Sequence, residues 1–155
     1  MSSPALIRPI DQNELPALLA LYKYLHVEDE AVSNEDIAAV WEQICADDKC
    51  HYFVAEIEGK LVSTCTLTII PNLTRAGRPY GLIENVVTHL DYRKQGLGTQ
   101  VLDHALKVAW TQNCYKVMLL TGSKRESTLQ FYENAGFKRG VKTGFVAYAD
   151  DIQAR

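Results

Sequence analysis

The stretch Glu84-Asn85-Val86-Val87-Thr88-His89-Leu90-Asp91-Tyr92-Arg93-Lys94-Gln95-Gly96-Leu97-Gly98-Thr99 decides how this chain is read. Its β-branched residues predict a strand from Gly81 to Thr88, followed by a short loop. A helical pattern then runs from about Gly98 to Asn113, with Leu102, Ala105, Leu106 and Ala109 on its inner stripe. The turn that opens the helix reads Arg-x-x-Gly-x-Gly. A helix amino terminus presents unpaired N–H groups and the positive end of the dipole, and Gly96 and Gly98 remove the side chains that would hold a bulky anion away. Arg93 and Lys94 add positive charge at the same place. The two glycines would equally suit a helix start that needs only a tight turn. A dinucleotide fingerprint is incomplete, because Val101 stands where the third glycine belongs, and no G-x-x-x-x-G-K-[ST] loop occurs.

Working outward, the continuous apolar run Lys116 to Leu120 predicts a strand after the helix, which makes a strand–helix–strand unit with parallel pairing. Upstream, Tyr52 to Ile57 and Leu61 to Ile70 flank Glu58-Gly59 and predict a β-hairpin. Ala5 to Pro9 reads as a first strand. Asp11 and Glu14 have the spacing of a capping box, opening a helix whose apolar stripe is Leu15, Leu18, Leu19 and Tyr22. A second helix starts near Ser33 to Asp36, with Ile37, Val40, Trp41 and Ile44 on one face. Glu126 to Asn134 predicts a last helix closed by Gly136, and Phe137 to Tyr148 holds material for one or two final strands. The fold class is α/β with a mixed sheet. At 155 residues, 47% hydrophobic and 23% charged, the chain has the composition of one globular domain, residues 1–155.

The net charge of -3 argues against a nucleic-acid partner. The four cysteines and four histidines show no zinc-type spacing, so no metal is expected. With no signal-peptide pattern and no long apolar stretch, a reduced, cytoplasmic protein without a membrane partner is the expectation.

Arg93 to Gly98 after the strand Glu84 to Thr88, together with Phe131-Tyr132-Glu133-Asn134-Ala135-Gly136-Phe137 about thirty residues later, resembles the GNAT superfamily of acyl-CoA-dependent N-acyltransferases. The order of elements resembles that family from about Leu6 to Tyr148. The resemblance implies a mixed sheet whose central strand pair splays, with flanking helices, and acetyl-CoA as co-substrate. Backbone N–H groups from Lys94 to Thr99, namely Lys94, Gln95, Gly96, Leu97, Gly98 and Thr99, would hold its pyrophosphate beside Arg93. Val86 and Thr88 would pair with the pantetheine arm by their main chain, with Val87 between them. An asparagine common in the family is Arg125 here, and Ser127 and Thr128 are the residues to replace its contact. Tyr132 would be the general acid at the sulfur, since a phenol of pKa about 10 can protonate a thiolate whose conjugate acid is about 8.5. Tyr132 would otherwise be a core aromatic.

Glu84, on the same strand parity as Val86 and Thr88, is a candidate base, directly or through water. It could equally be a structural carboxylate paired with an arginine. The acceptor side, by the resemblance, nominates Tyr22, Tyr24, His26 and Glu28 in the first helix and the loop after it, and Asn72, Arg75 and Arg78 in the loop after the hairpin. Two arginines would suit phosphate or carboxylate on the acceptor. The function read from all of this is acetyl transfer from acetyl-CoA to a primary amine of a small molecule, directly in a ternary complex. Protein or peptide acetylation and a non-catalytic acyl-CoA-binding regulatory module are the alternatives. A homodimer would be ordinary for the family.

Overall fold

The computed structural model describes residues 3–25 and 34–150. Its contacts divide the chain into two compact units, residues 1–119 and 120–155. The first unit holds a five-stranded sheet in the order β1 (Leu6–Pro9), β2 (Cys50–Ile57), β3 (Lys60–Ile70), β4 (Tyr80–Thr88), β5 (Val117–Leu119). The first three pairings are antiparallel and β4 with β5 is parallel, so the sheet is mixed as the sequence predicts. A 3-10 turn, Gln12–Glu14, leads into α1 (Leu15–Tyr22), and α2 (Asn34–Ala46), the short turn α3 (Thr74–Gly77) and α4 (Leu97–Thr111) complete the unit.

The helix start at Asp11 is the expected capping box, with both reciprocal bonds present. The stripe of α1 is shifted by part of a turn, because Leu18 and Leu21 are buried whereas Leu19 lies at the surface. On α2 only Trp41 is buried, its indole N–H donating to Gln12 O at 2.7 Å. Glu58 and Gly59 both take positive φ, the conformation a two-residue hairpin loop requires. One face of the sheet packs against α4: Cys65 Sγ lies against Val101 O, and the Phe53 and His104 rings meet edge to face. On another patch, Leu21 of α1 joins Val54, Leu61 and Val87.

Arg8 ties β1 to its neighbours. Its guanidinium forms a two-pronged pair with Glu14 at 2.6 and 2.9 Å and reaches Glu56 at 2.7 and 2.9 Å. Those bonds hold the Glu14 carboxyl below the usual carboxylate range. A depressed folded value means that Glu14's contribution is complete above the unfolded value of about 4.3 and drains away as pH falls through the folded one. Arg8→Ala is therefore expected to cost about 1–3 kcal/mol at neutral pH and to flatten the acid limb of stability. Urea melts of both proteins between pH 3 and 7 check this.

The second unit contains α5 (Glu126–Asn134). The Tyr132 ring meets Phe131 at a tilt with centroids 4.9 Å apart and Phe137 edge to face at 6.4 Å, while Gly136 closes the helix at φ 101. Arg139 pairs with Glu126 and Glu133. The strands expected between Phe137 and Tyr148 do not form: among the described residues, this segment has no helix or strand before residue 149. Val141, Phe145, Val146 and Tyr148 are exposed. Their β-favouring side chains make a strand only where a partner edge supplies the ladder.

Candidate functional site

The site is organised by a break in β4. Thr66 of β3 lies opposite Glu84 and Thr64 opposite Val87, so two residues of β3 span three of β4, and the extra residue forms a bulge. Asn85 takes it up at φ 53, in the left-handed region that asparagine tolerates better than most residues. The bulge changes the parity read from the sequence. Directly opposed residues share a face, and Thr64 and Thr66 share one, so Glu84 sits on the side of Val87 and not of Thr88.

The bulge also marks where β4 parts from β5. Pairing with β5 covers Gly81, Leu82 and Ile83, and from Glu84 onward that edge of β4 has no strand partner among the described residues. His89 N donates to Val62 O at 2.8 Å, which turns His89 toward β3 and, two residues back, Val87 as well. Val86 and Thr88 therefore turn their main-chain groups to the open edge. The Thr88 carbonyl is already engaged, accepting from Arg93 Nε at 3.1 Å. Its hydroxyl lies 2.8 Å from Ser63 Oγ.

At the end of the open edge, the chain passes through a 3-10 turn, Leu90–Tyr92, into α4. Lys94 at φ 61 and Gly96 at φ 78 are left-handed, and Gly96 is the N-cap residue of α4 without a side-chain cap. The first helical bond runs from Gln100 N to Gly96 O, so the N–H groups of Leu97, Gly98 and Thr99 precede the ladder. A Cβ built on Gly96 would have only Gln100 Nε2 near it, at 4.0 Å. These are the features a phosphate group needs: uncapped donors, a helix dipole and open space, with exposed Arg93, Lys94 and Gln95 alongside.

Sequence reading offered Tyr24 for the acceptor wall and missed its part in supporting this turn. Asp91 N–H donates to His89 Nδ1 at 3.1 Å, so Nε2 is the protonated nitrogen, and it faces the Tyr24 hydroxyl at 3.1 Å. The Tyr24 ring packs on His89 at 4.7 Å, and Tyr92 meets the other side at 5.4 Å. The turn after α1 is thereby tied to the loop before α4. The signal available was weak, a tyrosine and a histidine far apart in sequence.

The acceptor candidates are scattered. Tyr22 packs toward the bulge: its hydroxyl is buried, burial pushes the phenol above its ordinary range, and the Asn85 side chain opposes that shift. His26 and Glu28 lie outside the described residues. Asn72 organises its own loop, donating to Thr74 O and Arg78 O. Arg78 donates to Asn113 O and Cys114 O just past the end of α4, and Arg75 lies over the Tyr115 ring. These three sit at the C-terminal end of α4, a fifteen-residue helix about 22 Å long, so they do not join the glycine turn at its other end. The physical reason is local: the carbonyls of Asn113 and Cys114 in the turn that leaves α4 need donors, and Arg78 supplies them. Glu84 is exposed, and no arginine pairs with it among the described residues. In the second unit, Thr128 Oγ1 accepts from Ser123 Oγ at 3.1 Å, and Ser127 is exposed on the first turn of α5.

Residues 18–137 match the model of the acetyltransferase (GNAT) family. A glucosamine 6-phosphate N-acetyltransferase from Trypanosoma brucei brucei is 31% identical, over 85% of this chain and 88% of that one. A solved structure from Agrobacterium tumefaciens strain C58, provisionally described as an acetyltransferase, is 44% identical with a TM-score of 0.87, covering 92% of this chain and 99% of that one. The glucosamine-6-phosphate N-acetyltransferase of Arabidopsis thaliana superposes with a TM-score of 0.83 at 25% identity, over 96% of this chain and all of that one.

Proposed function

The chain belongs to the GNAT acetyltransferase family, and from that premise we propose that it moves the acetyl group of acetyl-CoA directly to the primary amine of a small amino sugar in a ternary complex. One observation carries the reading: an uncapped, glycine-opened helix terminus lies at the end of a strand edge left unpaired by a bulge. The names of the relatives support an amino sugar, and phosphate on it, as the acceptor class to test first. The family match crosses the boundary at Leu119, which supports residues 1–155 acting as one acetyltransferase domain. The four cysteines are free thiols, as suits a reducing cytoplasm.

Acetyl-CoA supplies an acyl thioester, and this chain's own groups do the rest. The N–H groups from Lys94 to Thr99 bind the pyrophosphate, with Arg93 and Lys94 adding charge. Val86 and Thr88 offer main-chain groups to the pantetheine arm, as an added strand would need. A backbone N–H near Val86 and Val87 meets the acyl oxygen as charge builds there. Glu84, exposed and on the edge that opens, takes the amine's proton through water. Tyr132 returns a proton to the sulfur, a role that rests on its family motif. Ser127 and Thr128 stand near the same motif and are assigned to the CoA.

The test is thiol release from acetyl-CoA with glucosamine 6-phosphate, glucosamine, a polyamine and a lysine peptide. Turnover with the amino sugars and not the peptide is the expected result. Preference for the peptide would move the acceptor to proteins.

A further inference from the structure

β3 carries polar side chains where a core strand usually carries apolar ones. Ser63, Thr64 and Thr66 are buried, among Val62, Cys65 and Leu67, which are buried as well. Alanine or valine would fill the same space without taking a hydroxyl out of water, so each hydroxyl calls for a partner and a reason. All three have a main-chain carbonyl as partner. Thr64 Oγ1 donates to Phe53 O at 2.8 Å, within the part of the β2–β3 pairing that keeps its register from Cys50 to Ala55. The other two hydroxyls serve β4. Thr66 Oγ1 donates to Glu84 O at 3.0 Å and Ser63 Oγ to Val87 O at 3.2 Å. These two carbonyls stand on either side of the bulge, and the register of β3 with β4 breaks between them. Ser63 and Thr66 are an odd number of residues apart on the strand, so the two bonds come from opposite faces of the sheet. With its one proton given to Val87 O, Ser63 Oγ accepts from Thr88 Oγ1 at 2.8 Å, which extends the chain of bonds.

We propose that the Ser63 and Thr66 hydroxyls are positioning groups for acetyl transfer, clamping the β4 bulge on both sides so that the Val86 N–H is held toward the acyl oxygen. The inference rests on the acetyl-transfer reading. A carbonyl and the N–H of the next residue belong to one planar unit and point opposite ways. A bond that holds Glu84 O therefore also fixes the Asn85 N–H, and one that holds Val87 O fixes the Thr88 N–H. Between these two fixed units stand Asn85, left-handed at φ 53, and Val86. A strained conformation of this kind persists where its surroundings over-determine it. An extra residue disrupts the ladder at the very place where a donor to the acyl oxygen has to be rigid, since a donor that need not reorganise is what stabilises developing charge. The two hydroxyls restore that rigidity. In this role they touch neither acetyl-CoA nor the amine, and they transfer no proton.

Thr66→Val set against Thr64→Val separates positioning from plain stability. Each substitution keeps the side-chain shape and removes one buried hydroxyl with one carbonyl bond, so both should lower the melting temperature to a similar extent. Thr66→Val should lower kcat about ten- to a hundredfold, whereas Thr64→Val should keep it within about twofold. Acetyl-CoA affinity, set mainly at the glycine turn, should change far less than kcat in either. Thr66→Ser, which restores the hydroxyl, should recover most of the lost rate, and Ser63→Ala should repeat the loss from the other face. Amide hydrogen exchange at residues 85–88 should quicken in Thr66→Val and not in Thr64→Val. Equal kcat in Thr66→Val and Thr64→Val, whether kept or lost in both, overturns the proposal while leaving the acetyl-transfer reading intact. Equal exchange in the two variants overturns the clamp whatever the protein catalyses. A wild type that binds no acetyl-CoA, or releases no thiol to any amine, defeats the acetyl-transfer reading and the positioning role with it.

Discussion

Gly96→Val is expected to weaken acetyl-CoA binding about a hundredfold or more while leaving the protein folded. Gly96 stands at φ 78, where a β-branched residue pays about 1–2 kcal/mol for crowding its own carbonyl. The space around it is open, with Gln100 Nε2 at 4.0 Å as the nearest atom to an added Cβ, so no core contact resists the substitution. The strain is relieved instead by the turn leaving the left-handed region, which swings the N–H groups of residues 95 to 98 away from one another. Two charge-assisted bonds lost at about 1.5–3 kcal/mol each exceed the roughly 2.7 kcal/mol of a hundredfold change. Calorimetric titration gives the affinity, and a melt within about 2 kcal/mol of the wild type shows that the fold survives. Gly96→Ala, strained but not branched, should fall between.

Tyr132→Phe carries the second large effect. Loss of a general acid in a transfer step costs about a hundredfold to ten-thousandfold in rate. The ring contacts with Phe131 and Phe137 do not use the hydroxyl and should persist, so acetyl-CoA affinity should change little. Single-turnover thiol release reads the chemical step apart from binding. Unaltered kcat would return Tyr132 to the role of a core aromatic and leave protonation of the sulfur to water.

Elements whose form is dictated by neighbours in sequence were legible. Asp11 and Glu14 announced the capping box, Glu58-Gly59 the hairpin turn, and Gly96 the left-handed entry to α4, because each depends on one turn of backbone. The bulge in β4 was not legible as such. Asn85 is a poor strand former and so a local hint, but the register that makes it an extra residue is set across the sheet by Thr64 and Thr66. That long-range pairing moved Glu84 to the face of Val87. The partners of Arg78 were illegible for a related reason: its sequence says only that it is a loop cation, while the carbonyls it serves, at Asn113 and Cys114, are thirty-five and more residues away. The final strands failed because residues 137–148 have the side chains of a strand and no partner among the described residues.

The most direct test of the central claim is titration of acetyl-CoA into the wild-type protein by calorimetry, repeated with Gly96→Val. The account predicts saturable binding, competed by free CoA and lost in the variant. Absence of binding to a folded wild-type protein, or equal binding by both, would contradict the assignment of the glycine turn as the pyrophosphate site.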